Sequence, residues 1–220
     1  MNYFRIAGDL LHLFSFAVLL VKIYNQKSCR GISLQTQILY LIVFVSRYLD
    51  LPWNIMHFTW FSLYLAAMKI IFIASTGFVI YMVKVKYGKS YSKDEDTFPT
   101  WWLVVPCLLL SLVWNEEFSF FEVLWAFSIY LEAVSILPQL VLLQKTGNVE
   151  TLTGHYIFCL GGYRALYLLN WIYRYTMEDD YSQWIVWVSG TIQTILYVDF
   201  FYYYIVSYIK GTQVVLPTSV

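Results

Sequence analysis

The chain has 220 residues, of which 60% are hydrophobic and 13% charged, with a formal net charge of zero. A soluble domain carries roughly 25% charged and about 45–50% apolar residues, so a water-soluble globular protein is excluded, and the balanced charge gives no reason to expect a nucleic-acid partner. A spanning helix needs about 20 mostly apolar residues, so this length holds seven of them with short connectors and no large extramembrane domain.

Apolar stretches fall at 4–24, 33–52, 59–83, 99–114, 119–143, 153–173 and 183–209, each predicted to be one transmembrane helix. Arg5, Asp9 and His12 interrupt the first, and no small-residue cleavage site follows it, so it is expected to insert and stay rather than be removed as a signal. The fourth is short, and Pro106 is expected to kink it. Polar connectors at 25–31, 84–96, 115–119, 145–154 and 175–182 are too short to separate domains. The expectation is one all-α membrane domain over 1–220, with 210–220 as a short tail. Residues 33–50 can be laid on 153–170, matching Ser33 to Thr153 and Leu49-Asp50 to Leu169-Asn170. Two three-helix bundles joined by a lone linker helix would place these segments equivalently, a duplication known among transporters.

Lys and Arg in short connectors report sidedness. One alternating set holds Lys22, Lys27, Arg30, Lys84, Lys86, Lys89, Lys93, Lys145 and Lys210. The other holds Asp50, Glu116, Glu117, Glu178, Asp179 and Asp180, with Arg174 its main basic member. The first set and the C-terminus are therefore expected in the cytosol, and the second set and the N-terminus on the lumenal or extracellular side. Cys29, Cys107 and Cys159 have neither metal-type spacing nor an even disulfide framework, and read as small apolar or reduced thiols. Nine Trp and 20 Tyr suit interfacial belts and a stacking cavity equally well.

Ionisable groups inside spans are costly and usually face the bundle interior or a watery cavity. Here they line up. Arg5, Asp9 and His12 share one face of the first helix at i, i+4, i+7. Glu122, Trp125, Ile129 and Glu132 share a face at i, i+3, i+7, i+10, and Arg164, Tyr167, Trp171 and Arg174 repeat that spacing with Tyr163 and Asn170 on the flank. Arg47, Tyr48 and Asp50 cluster at the non-cytosolic end of the second stretch. Internal salt bridges pinning the bundle are one reading of these groups, and Asp9 could simply cap the first helix. The other reading is a cavity lined by Arg5, Arg47, Arg164 and Arg174, suited to a ligand with several carboxylates because Arg binds carboxylate bidentately and tolerates burial. Asp50, Glu122 and Trp125 offer two anions and an aromatic face for one cation. Together they anticipate a small zwitterionic ligand with excess negative charge, such as an acidic peptide end. His12 is the histidine deep in a span, and an imidazole titrates near pH 6.5, between mildly acidic and neutral compartments. Glu132 and Tyr163 are its candidate partners. His57 and His155 read as ordinary polar residues.

The chain resembles the KDEL receptors, which capture the C-terminal Lys-Asp-Glu-Leu signal of endoplasmic-reticulum proteins. The resemblance is carried by Asn2-Tyr-Phe-Arg-Ile-Ala-Gly-Asp-Leu-Leu-His12, Gly31-Ile-Ser33, Ser46-Arg-Tyr-Leu-Asp-Leu51, Phe127-Ser-Ile-Tyr-Leu-Glu132, Ile136-Leu-Pro-Gln139, Tyr163-Arg-Ala-Leu-Tyr167, Asn170-Trp171, Arg174, Gln193-Thr-Ile-Leu-Tyr197 and Asp199-Phe-Phe201, nearly the whole chain in order. It implies a seven-helix fold similar to SWEET sugar transporters and PQ-loop proteins, with Pro138-Gln139 at the corresponding motif. By position it implies that Arg47 and Tyr48 hold the signal's terminal carboxylate with Arg164 close by. Arg5 and Arg174 would pair with the signal's acidic side chains, and Asp50, Glu122 and Trp125 would receive its Lys. Tyr167, Asn170 and Trp171 would line the pocket, and His12, Glu132 and Tyr163 would form a proton-linked lock tightening binding in the acidic Golgi and releasing it in the endoplasmic reticulum. Asp199 and Lys210 would act in the transport step, with a COPI-type coat and membrane lipid as further partners.

Two departures stand out. The tail from Lys210 onward has no other lysine, although the family usually ends in a lysine-containing coat signal, and 52–61 is longer than the family leads one to expect. Lys69 could partner Asp199, but helical rise puts them roughly 12 Å apart in depth, against that pair. The alternative function is a proton-coupled small-molecule transporter of the same fold. No catalytic residues, cofactor or metal are expected: the spans hold no paired aspartates, Ser/His dyad or metal-ligand cluster.

Overall fold

The computed structural model describes residues 2–56, 59–178 and 182–217. His57, Asp179, Asp180 and the end of the tail, all read above, lie outside the described residues. The chain runs α1 (Tyr3–Gln26), α2 (Leu34–Arg47), α3 (Leu51–Met56), α4 (Trp60–Tyr81), α5 (Trp101–Val113), α6 (Phe120–Val134), α7 (Leu137–Thr146), β1 (Asn148–Val149), α8 (Thr151–Met177), α9 (Trp184–Lys210) and β2 (Val214–Val215). Helical segments Tyr3–Gln26, Trp60–Lys86, Phe120–Thr146 and Trp184–Lys210 are long and apolar enough to cross a membrane, and Leu34–Arg47 and Trp101–Val113 are shorter apolar helices.

Local chemistry sets the helix starts. Asn2, Ser33, Thr59 and Ser119 are N-caps whose side chains accept the backbone N–H of Arg5, Thr36, Ser62 and Glu122, satisfying donors the first turn leaves open. Prolines explain two places where an expected single helix divides. The stretch 33–52 ends as a helix at Arg47, and α3 restarts with Pro52 in its first turn, where a missing N–H costs nothing. The stretch 119–143 divides between Val134 and Leu137 because Pro138 has no N–H for the Val134 carbonyl. Pro106, by contrast, lies inside a continuous α5. At the other end of α4 the ladder loosens into a π-helical turn, Met82–Lys86.

α1 packs along α8, α2 against α6 and α4, and α9 against α8 and α6, while α5 packs chiefly on α6. Buried Leu19, Ile23, Leu39, Val43, Leu131, Ile157 and Tyr197 form the centre. The α1–α8 approach is close at Gly8, where a Cβ would fall 2.8 Å from the Tyr167 ring, and at Gly162, where it would fall 2.9 Å from Leu11; small residues let membrane helices pack by dispersion. Ser33 and Thr153, matched in the repeat reading, differ in role: Ser33 caps α2, whereas Thr153 lies inside α8 with its hydroxyl buried. All three cysteines are buried and free, in line with their reading as apolar thiols.

Two features at one end of the bundle had no counterpart in the sequence reading. After Gly211, a left-handed residue at φ 63°, β2 pairs antiparallel with β1, Asn148 opposite Val215 and Val149 opposite Val214, and the Leu216 N–H donates to the Gly147 carbonyl at 3.0 Å. Val149, Val214 and Leu216 are buried there. Asp96, in the α4–α5 connector, caps α2 from outside. Its carboxylate accepts the Ser33 hydroxyl (2.8 Å), the Leu34 N–H (2.8 Å), the Gln35 N–H (3.3 Å) and the Tyr91 hydroxyl (2.7 Å). Burial, then this bond to Asp96, pushes the Tyr91 phenol up from its ordinary value. Asp96→Ala should cost about 1–2 kcal/mol, the upper range for a lost cap, and should speed amide exchange at Leu34 and Gln35. Unchanged exchange at those two amides would refute the external cap.

Candidate functional site

The site begins with the register of α1. Asn2 fixes the helix start through its Oδ1, which accepts the Arg5 N–H at 3.0 Å, and its Nδ2 donates to Asn170 Oδ1 on α8 at 2.8 Å. Arg5, Asp9 and His12 then project from one face toward α8 and α4, as their spacing predicts. Asp9 is not a cap: it lies two turns in, 7% exposed, accepting the hydroxyls of Tyr64 (2.8 Å) and Tyr167. A buried carboxylate needs such donors.

Glu132 on α6 is the centre. It is 2% exposed, and its carboxylate meets the guanidiniums of both Arg47 and Arg164 while accepting the Tyr163 hydroxyl at 2.7 Å. Arg47, the last residue of α2, is braced by Nε to Ser128 Oγ and Nη2 to the Ser128 carbonyl, both 3.0 Å. The Arg164 guanidinium lies over the rings of Tyr163, Tyr167 and Trp171 at 5.1, 5.8 and 5.9 Å, a flat cation on aromatic faces. Two guanidiniums share one carboxylate, so this buried cluster carries a surplus positive charge.

His12 meets this network by stacking rather than by a hydrogen bond. Its ring is 4.0 Å from Tyr163 at 6° and 4.5 Å from Phe72 at 26°, and its Nε2 has no hydrogen-bond partner among the described residues. The connection from His12 to Glu132 therefore passes through the Tyr163 side chain.

These residues line a cavity of about 290 Å³ that also includes Arg5, Tyr48, Tyr64, Lys69, Trp125 and Tyr167. A second space of about 390 Å³ is lined by Asp50, Glu122, Trp125 and Tyr48; a third of about 630 Å³ by Asn2, Asn170, Arg174 and Glu178; a fourth of about 170 Å³ by Trp171, Asn170 and Arg174. Arg5 lines all four. Every predicted ligand-binding and switch residue thus falls on one contiguous end of the bundle. Arg174 Nε and Nη2 both donate to Glu178 Oε2, at 2.8 and 2.7 Å, and Nε also to Oε1 at 3.0 Å, which holds the Glu178 carboxyl below its usual range.

Asp199 and Lys210 are not part of this site; both are exposed on α9. Asp50, read as one of two anions for a ligand cation, already has the Lys69 ammonium 2.7 Å from its Oδ2. The same bond answers the question over Lys69: its partner is Asp50, not Asp199. Lys69, Tyr64 and Phe72 were not read as site residues. A lysine in an apolar span was the available signal for the first. His155 is hydrogen-bonded to the Tyr204 hydroxyl at 2.5 Å, away from the cavity.

Residues 28–174 match the family described as ER lumen protein retaining receptor. The chain belongs to that family. An ER lumen protein-retaining receptor of Petunia hybrida is 57% identical over 220 residues, covering 99% of this chain and 100% of the relative. The Drosophila melanogaster receptor is 51% identical over 217 residues (99% and 100%), and that of Entamoeba histolytica 50% over 216 (98% and 99%). The family model spans Glu132, Tyr163 and most of the cavity lining, and the full-length relatives extend over Arg5 and His12 as well. Family membership and the apolar helices make this a transmembrane protein of the retrieval receptors, as the resemblance implied.

Proposed function

We propose that the protein is a pH-dependent receptor for the C-terminal Lys-Asp-Glu-Leu-type signal of escaped lumenal proteins, binding it in the Golgi and returning it to the endoplasmic reticulum. The observation that carries this reading is the convergence of Arg47 and Arg164 on one buried carboxylate, inside an aromatic cavity with Arg5 at its rim. Such a site recognises a chain end: guanidiniums fix a terminal carboxylate bidentately, further arginines take acidic side chains, and aromatic walls hold an apolar last residue.

In this reading the helical segments cross the membrane seven times as one unit over 1–220, with the SWEET/PQ-loop arrangement of two three-helix bundles and α5 as linker. The N-terminus and the cavity mouth face the lumen; the tail from Lys210 faces the cytosol. Arg47 and Tyr48 take the signal's carboxylate, Arg5 and Arg174 its acidic side chains, and Glu122 with Trp125 and Asp50 its basic first residue. Tyr167, Asn170 and Trp171 wall the pocket. Asp199 and Lys210 serve the transport step on the cytosolic and membrane-facing side, where a COPI-type coat and lipid are the partners.

Glu132 stands where it competes with a ligand carboxylate for Arg47 and Arg164. A proton taken up at His12 provides a replacement cation across the Tyr163 ring, which lets Arg47 exchange the Glu132 oxygen for the peptide's. Binding then takes up a proton, so by linkage affinity rises as pH falls and drops as pH rises toward neutrality.

The test is binding of a Lys-Asp-Glu-Leu peptide to the purified protein at mildly acidic and neutral pH, beside the C-terminally amidated peptide. Acid should tighten binding, and amidation should weaken it by about a hundredfold, the cost of one to two charge-assisted hydrogen bonds. Equal binding of the amide would remove the carboxylate role of Arg47. His12→Ala should flatten the pH dependence; an unaltered pH profile would show that the proton is held elsewhere.

A further inference from the structure

Among the charged groups around the cavity, Lys69 has no part in the reading above, and its position is specific. Its ammonium meets Asp50 Oδ2 at 2.7 Å and the side-chain oxygen of Asn54, and lies 5.7 Å from the centre of the Tyr48 ring. An anion, a neutral acceptor and an aromatic face are what a ligand ammonium would seek at the same carboxylate. The Lys69 side chain is 13% exposed and that of Asp50 57%, so the carboxylate can be approached from outside while the lysine reaches it from within. Lys69 lines both the His12 cavity and the neighbouring space that holds Glu122 and Trp125. In that second space Glu122 Oε1 is buried and has no hydrogen-bond partner among the described residues. One of the two anions is open and the other is taken.

We propose that Lys69 is a tethered competitor for Asp50, and so sets how strongly the receptor selects a basic first residue in its peptide. The proposal rests on the retrieval-signal reading of the same site and adds to it a residue that tunes specificity. An incoming ammonium finds Glu122 open and reaches full engagement only by displacing Lys69 from Asp50. The displaced side chain is a compact charge on a flexible four-carbon stem, and it still lines the cavity where Arg5, Arg47 and Arg164 stand. Selectivity for the cation is then the difference between two ammonium ions at one carboxylate, smaller than an unoccupied carboxylate would give. A purely structural bridge between the α2–α3 turn and α4 would instead affect all peptides alike.

The experiment compares Lys-Asp-Glu-Leu with norleucine-Asp-Glu-Leu, which keeps the stem and removes the charge, on full-length protein in lipid nanodiscs at mildly acidic pH. Lys69→Met should raise the preference for the lysine peptide by about tenfold over wild type, whatever happens to absolute affinity, while Lys69→Arg, which keeps the competitor, should leave it within about twofold. If Lys69→Met does not purify as a folded protein, Lys69→Gln, which fills the space without the charge, is read the same way. A preference equal to wild type in the uncharged variant, with both peptides still bound, overturns the competitor and leaves the receptor reading intact. Failure of wild type to bind either peptide overturns the receptor reading, and this inference with it.

Discussion

Replacing Glu132 by Gln should lower the thermal midpoint of the purified protein by on the order of 10 °C. Breaking a buried ion pair from one side costs about 3–5 kcal/mol, and for a chain of this size each kcal/mol moves the midpoint by roughly 2–4 °C. The effect is large because Glu132 is the anion for two guanidiniums at once, Arg47 on α2 and Arg164 on α8. Gln keeps the volume and an acceptor for the Tyr163 hydroxyl but leaves two cations facing each other in a place with little water. Differential scanning fluorimetry in detergent reads this directly, with Glu132→Asp as the variant that keeps the charge and should lose less. A midpoint within a degree or two of wild type would mean that the arginines find other anions and that the cluster does not hold α2, α6 and α8 together. The same variant should lose the difference between acid and neutral peptide binding, because the carboxylate that competes for Arg47 is gone.

The second large effect comes from a glycine. A Cβ at Gly190 on α9 would fall 2.2 Å from Cζ3 and 3.0 Å from Cη2 of Trp171. Trp171 is 8% exposed, meets Tyr167 edge-on at 6.0 Å between ring centroids, and lies under the Arg164 guanidinium. Gly190→Ala therefore drives the indole into the cavity wall. Overpacking of this kind costs about 1–3 kcal/mol. Because the ring that must move belongs to the proposed pocket, peptide affinity should fall by about tenfold or more, by the same energy. The double variant Gly190→Ala/Trp171→Phe tests the route: a smaller ring leaves room for the methyl, so binding should recover relative to Gly190→Ala alone. If the second substitution only adds to the loss, α9 acts on the pocket by some path other than Trp171.

The parts of the site that a helix period reports were legible in the sequence. Arg5, Asp9 and His12 fall on one face of α1 at any reasonable choice of helix ends, and the same holds for Glu122 to Glu132 and for Arg164 to Arg174. Pairing was not legible. That Glu132 takes both arginines depends on how α2, α6 and α8 pack and on the brace from Ser128, which spacing along single helices does not report. The Lys69–Asp50 bond was hidden by treating 33–52 as one helix. The helix ends at Arg47, which moves Asp50 onto a turn within reach of α4. Asp96 capping α2 is a contact between residues some sixty positions apart, with polar residues on both sides that read as ordinary connector. The two-residue strand in the tail has too little sequence to carry a period at all.

That short strand also bears on how the molecule is made. β2 is synthesised after all the helices, and its partner β1 lies between α7 and α8, far earlier in the chain. Until Val214 and Leu216 arrive, Val149 lacks its cross-strand neighbour and the Gly147 carbonyl lacks the Leu216 N–H donor. A chain cut short after α9 would therefore insert its helices yet display an open seam, so the tail closes a bundle whose spanning parts are already in place.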